Sequence, residues 1–280
     1  GAFDQDAGSG TTTFNGAVNT NTSAGVVVAN TNLAVNADVS TASSGVVTFI
    51  QSGTTAIATA GKINSDGAVT ITSGGGTTTS GDVTTTNDDI TFASATTLGA
   101  GIELLAGTGD IQFSSTLAGG QNLTIPSAAT ATFAGNVTLN DLILPASAAT
   151  VTFTGAANAF TANVDFLNSG LVTFGNAAGD ASTFDAGATF TGGSAVALQG
   201  TITTTNDPLT FPAAVTLGAA SALNTGGGNI QFATTLNGGQ NLTITAGTGN
   251  VTFSGAVGGS TRLGTLNIVS ANNVIASALT

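Results

Sequence analysis

The chain of 280 residues contains no His, Cys, Met, Trp or Tyr, and its basic residues are two, Lys62 and Arg262, against 14 acidic ones. Each absence closes a class of function. Without His or Cys there is no Ser–His or Cys–His nucleophile pair, and zinc sites lose their usual ligands. Without Cys no disulfide supports the fold. A net charge of -12 argues against nucleic acid, because displacing counterions from phosphate takes Lys and Arg. It argues equally against an anionic membrane surface. No apolar run approaches the roughly 20 residues of a membrane-spanning helix, so no membrane insertion is expected. The first residues, GAFDQDAGSG, lack the basic region and apolar core of a signal peptide, which predicts either a mature product or a piece of a longer protein. One Lys and one Arg leave trypsin at most two places to cut, which suits an extracellular setting.

What remains is Gly, Ala, Thr, Ser and Asn, with 15 Phe as the whole aromatic supply. Mean hydropathy is positive, unlike a disordered chain. The stretch 84–92 reads TTTNDDITF and the stretch 203–211 reads TTTNDPLTF. They belong to a longer duplication. Segments 81–125 and 200–244 align without a gap, with 28 of 45 positions identical. Repeats of this kind indicate a solenoid or array.

A shorter period lies inside the long one. Val28, Phe49, Ile71, Phe92, Phe113, Phe133, Phe153 and Phe174 follow one another at a nearly constant step of about 21 residues. Phe190, Phe211, Phe232, Phe253 and Val274 keep the same step. One interval, Phe174 to Phe190, is markedly shorter, which reads as a compressed coil. Two further apolar marks stand between successive members, such as Leu98 and Leu104 after Phe92. Three short strands and three Gly/Asn/Asp corners per coil predict an all-β, roughly triangular parallel β-helix of about 13 coils over residues 1–280. The hand is expected to be right by the usual rule for parallel crossovers. In VTF or LTF the first and third residues share a face, so the thirteen residues from Val28 to Val274 form the expected core ladder. Helices are not expected from so much Gly, Thr and Ser. At ~4.8 Å per coil the body should be a single rod about 60 Å long.

Candidate chemistry is confined to carboxylates. Asp88 and Asp89 could serve as an acid–base pair on sugars, but the second copy keeps Asp207 and has Pro208 in place of the other Asp. A corner repeats in this way; a catalytic pair does not. No catalytic or cofactor-binding residue is assigned, and an enzyme is not expected. Asp82, Asp88 and Asp110 stand at oxygen-rich corners, where Ca²⁺ is the one ion to consider. The calcium-binding nonapeptide of β-rolls is absent. Thr48, Thr70, Thr91, Thr132, Thr152, Thr173, Thr210 and Thr252 fall on the outer side of the ladder, and Gln112 and Gln231 interrupt them. A regular TxT pair per coil, as on an ice-binding face, is missing. The sequons at Asn21, Asn122, Asn136, Asn241 and Asn250 arise wherever a corner Asn precedes an apolar–Thr–apolar strand.

The units TTTNDPLTF (203–211), VTLGA (215–219), GGNIQF (227–232), LNGGQNLTI (236–244) and AGTGNVTFSGAVG (246–258) carry a resemblance. They resemble the strand repeats of giant secreted bacterial proteins of the filamentous haemagglutinin-like adhesin group, most clearly over 81–135 and 200–258. The resemblance implies a right-handed β-solenoid, an extracellular or cell-surface location, and adhesive or matrix roles with surface or matrix polysaccharide as a partner. The secretion domain of full-length members is not in these residues. The expected function is structural: a solenoid that stacks end to end with copies of itself into a fibre, sheath or surface layer, or else the shaft of a secreted adhesin.

Overall fold

A computed structural model describes residues 1–147 and 149–279. Among these residues there is no helix. The strands pair in parallel with the strand one coil away, making a β-solenoid of about 13 turns in all. Contacts divide the chain into two compact units, Gly1–Gly135 and Asn136–Thr280.

In the first unit each coil contributes one strand to each of three parallel sheets. One sheet holds Val26–Asn30, Val47–Gln51, Val69–Ser73, Ile90–Phe92, Ile111–Phe113 and Thr130–Phe133. Its register joins Val28 to Phe49, Phe49 to Ile71, Ile71 to Phe92, Phe92 to Phe113 and Phe113 to Phe133. Alternate residues turn inward because strand side chains alternate, so Ile90 and Phe92 are fully buried while Thr91 between them stays half-exposed. The rings of Phe92, Phe113 and Phe133 stack at 5.0 and 5.5 Å with nearly parallel planes. A second sheet runs from Thr11–Phe14 to Leu117–Ala118, and a third from Val18–Thr20 to Asn122–Ser127. Glycine is required where coils turn tightly. At Gly25, with φ of +61°, a Cβ would collide with the carbonyl of Val46 in the next coil.

The second unit departs from the expected ladder. Phe153 pairs with Phe174, and Phe174 pairs with Leu198, followed by Leu217. Phe190 belongs to a neighbouring column: Phe166 stacks on Phe190 at 5.0 Å, and Phe211, Phe232 and Phe253 continue upward. Phe174 meets Phe190 edge to face, at 6.1 Å and 86°. The short interval between them is therefore not a coil, compressed or otherwise. It joins two faces. The coil at this level is wide, not narrow. Ala157 pairs with Ala181, Val164 with Ala188 and Val172 with Val196, so each partner lies a few positions beyond the usual period. The reason is volume. Phe160, Phe166 and Phe174 supply an aromatic ring on each of three faces, and a close-packed interior with three rings needs a longer circumference.

Val274 also leaves the ladder. It pairs with Val251, Ala276 covers Phe253, and Val274 is 51% exposed. The chain spends extra residues on the Gly258–Gly264 loop, so the spacing lengthens there.

Candidate functional site

The duplicated TTTND stretch is a turn that repeats its own internal hydrogen bond. Thr85 Oγ1 donates to the carbonyl of Asp88 at 2.5 Å, and Thr204 Oγ1 donates to that of Asp207 at 2.6 Å. Asn206 occupies the left-handed region, with φ of 65°, where Asn is favoured over most side chains. The corner oxygens then reach one coil onward. Asn87 Oδ1 accepts the N–H of Thr108 at 3.2 Å, and Asp89 Oδ1 accepts that of Asp110 at 2.9 Å. Asp110 Oδ1 in turn accepts the N–H and the hydroxyl of Thr130. In the second unit Asn229 Oδ1 accepts the N–H of Asn250 at 2.8 Å. An edge N–H that would otherwise depend on water gains a fixed partner. This is why Asn and Asp recur at the same phase.

Asp82 is held differently. Its Oδ2 accepts a hydrogen bond from Lys62 Nζ at 2.7 Å, and its Oδ1 accepts the N–H of Glu103. Partial burial pushes its pKa up, but the Lys62 ammonium and the Glu103 N–H outweigh it and hold the carboxyl below its ordinary value. The hydrogen bond to Asp82 raises Lys62 in return. Asp88 and Asp110 thus stand at one corner in successive coils, and Asp82 at another. Among the described residues no three acidic side chains come together in a way that could hold a metal ion.

A shallow polar groove of about 390 Å³ lies on the third sheet of the first unit, lined by Thr41, Asn64, Ser65, Asp66, Thr84 and Thr86. Sequence reasoning did not single it out. Asp66 ties three coils together: its Oδ2 accepts the N–H of Ser44 at 2.8 Å, and its Oδ1 accepts the hydroxyl of Thr86 at 2.9 Å. Ser43 and Ser44 both have positive φ, 60° and 57°, so this carboxylate fastens a strained turn. The Ser44 N–H, then the Thr86 hydroxyl, hold Asp66 below the usual carboxylate range. A groove with one ionised carboxylate among hydroxyls can accept hydrogen bonds from a polyol. Acid–base work on a glycosidic bond takes two carboxyls facing each other.

A buried polar spine was also missed. Thr12 Oγ1 donates to Gln5 Oε1, and Asn30 Nδ2 donates to Thr12 Oγ1. Gln51 Nε2 donates to Asn30 Oδ1, Thr55 Oγ1 donates to Gln51 Oε1, and Ser73 Oγ shares hydrogen bonds with Thr55 and Thr77. Its signal was available: Asn30, Gln51 and Ser73 each stand two places after Val28, Phe49 and Ile71, and are therefore inward-facing.

The last coil has a different character. Leu266–Ser270 lies on Leu242–Thr245, and Val274–Leu279 lies on Val251–Val257. Val269, Val274, Ile275 and Leu279 are each more than half exposed, at 51 to 61%. A hollow of about 300 Å³ opens beside Val257, Leu263, Leu266 and Leu279. At the other end Phe14 is nearly buried, with the Phe3 ring packed edge-on against it at 5.2 Å.

The class these features define is a parallel β-solenoid repeat protein. Compared with family models, with characterised proteins and with solved structures, the chain finds no match.

Proposed function

We propose that the protein is a structural β-solenoid, acting outside the cell as a subunit that stacks head to tail into a fibre, sheath or surface layer. The observation that carries this is the parallel pairing of coil on coil, which runs from Phe3–Gln5 to Val274–Leu279. A coil of this kind offers its strands and apolar interior to another coil, and a head-to-tail contact that does not close makes a filament. A second reading, the shaft of a secreted adhesin, is favoured by the strand repeats over 81–135 and 200–258; in that setting the covering coil belongs to the same polypeptide.

Electron microscopy of the 280-residue chain over a concentration series tests the assembly. Filaments with an axial repeat near ~60 Å, from ~4.8 Å per coil, are the expected result. Separate short particles at every concentration would overturn it. A chelator series on the same grids tests the corner carboxylates as calcium ligands: filaments indifferent to chelator remove them from the joint.

A further inference from the structure

The corner between Val257 and Leu266 carries residues that its neighbours below do not have. Val215, Leu236 and Val257 pair in one column, and Ser221, Leu242 and Leu266 pair in the next. Val215 to Ser221 and Leu236 to Leu242 each span six positions, whereas Val257 to Leu266 spans nine. The pairings on both sides are fixed, so the three surplus residues must bulge from the corner. The bulge reads GGSTRLG, from Gly258 to Gly264.

Most of this loop is tied to the coil below. The Gly258 N–H donates to the carbonyl of Leu236 at 2.8 Å, and Asn237 Oδ1 accepts the N–H of Ser260 at 3.0 Å. The carbonyl of Thr261 accepts the N–H of Gly238 at 3.2 Å, and the Gly264 N–H donates to the carbonyl of Gln240 at 2.9 Å. Between these ties, Arg262 and Leu263 form no backbone hydrogen bond among the described residues. Arg262 is exposed, and its guanidinium has no ion pair or hydrogen bond among those residues.

Lys62 is the only other basic side chain and the opposite case. Both sides of its peptide bond to Ile63 lie in the ladder. The Lys62 carbonyl accepts the N–H of Val39 at 2.9 Å, and the Ile63 N–H donates to the carbonyl of Asp82 at 3.0 Å. Its Nζ is held by Asp82 at 2.7 Å.

We propose that the Gly258–Gly264 loop is a processing site, cut after Arg262 by an endoprotease of the trypsin-like class. Such an enzyme holds Arg or Lys in a pocket with a carboxylate at its base. It takes its substrate as an exposed segment free of the substrate's own sheet. Glycines at 258, 259 and 264 let the loop take that shape. Water adds across the Arg262–Leu263 peptide bond, leaving a carboxylate on Arg262 and an ammonium on Leu263. The strand pairs on either side, Leu242 with Leu266 and Val251 with Val274, need not open for the cut.

Brief exposure of the folded 280-residue chain to trypsin, followed by mass spectrometry, tests the site. The expected products are 1–262 and 263–280, with nothing cut at Lys62. The same chain unfolded in urea should be cut at both residues. R262Q should leave the folded chain whole. Adding T216R to R262Q puts an Arg at an exposed position of the paired strand Val215–Leu217. Cleavage there waits on opening of the strand and should be on the order of 100-fold slower than at Arg262. A folded chain that resists trypsin while the unfolded one is cut overturns the proposal. So does cleavage of the folded chain at Lys62, or of the T216R variant, as fast as at Arg262.

Discussion

The two units build the same coil from different interiors. The first fills its centre with Val, Ile and a few stacked Phe, and runs a chain of hydrogen bonds from Gln5 through Thr12, Asn30, Gln51, Thr55 and Ser73 to Thr77. The second clusters Phe153, Phe160, Phe166, Phe174, Phe184 and Phe190, with stacked and edge-to-face contacts. A polar interior holds only while every member keeps its partner, because a buried group left alone costs its full desolvation. An aromatic interior needs no such continuity. It needs volume, and the wide coil supplies it. The length of that coil follows from what it encloses.

The sharpest way to break the comparison is to empty the aromatic cluster. Phe174→Ala removes a buried ring that contacts Phe153, Phe166, Phe184 and Phe190. Chemical denaturation should show a loss of about 3–5 kcal/mol. Phe92→Leu, in the first unit, should cost clearly less. Next comes the spine. Thr55→Val strands the buried Gln51 and Ser73 and should cost about 1–3 kcal/mol. Changing Gln51, Thr55 and Ser73 together to apolar residues of similar shape should recover part of that. An additive triple variant would show that the hydrogen bonds are independent and not a spine.

Corner oxygens should matter less and equally in both units. Asp89→Ala and Asn229→Ala each remove one acceptor for the next coil and should cost about 0.5–1.5 kcal/mol. Thermal melts of the pair compare the corners directly. The smallest effect is electrostatic, and its sign differs between the units. Asp66 and Asp82 have folded pKa values below their ordinary ones. Their contribution is present above the ordinary carboxylate pKa and is lost as pH falls through the lowered folded values. Asp141 is raised by burial, opposed in part by the Leu142 N–H, and its Oδ1 has no hydrogen-bond partner. It favours the folded state at low pH and loses that contribution as pH rises through its raised value. Asp141→Asn should therefore flatten the pH profile of unfolding just above the ordinary carboxylate pKa, and Asp82→Asn just below it.

Most of the architecture was legible because a solenoid writes its period into the chain. Val28 to Phe133 can be counted off coil by coil, and register follows the count. The count failed where the coil changed size. The short interval between Phe174 and Phe190 fits a short coil or two neighbouring faces, and spacing alone does not separate them. The buried rings of Phe160 and Phe166 decide it. The spine was hidden for another reason: Asn, Gln, Ser and Thr are read as surface and corner residues, and only their phase relative to Val28, Phe49 and Ile71 places them inside. The TTTND stretch was legible as a turn once its second copy dropped a carboxylate. The hydrogen bond from one coil's Asp89 to the next coil's backbone is a property of stacking and needed coordinates.

The wide coil has a mechanical consequence. The backbone bonds of a solenoid join one coil to the next, so a pull on a chain end loads them a coil at a time and unwinds the stack as a thread leaves a spool. At about 3.4 Å per residue, each ordinary coil would release roughly 70 Å of slack. The coil that encloses the phenylalanines would release roughly 10 Å more, and would yield at a higher force because three rings leave their neighbours together. A force trace would then carry a long, high-force step where this coil yields, a ruler mark cut into the thread by its own core.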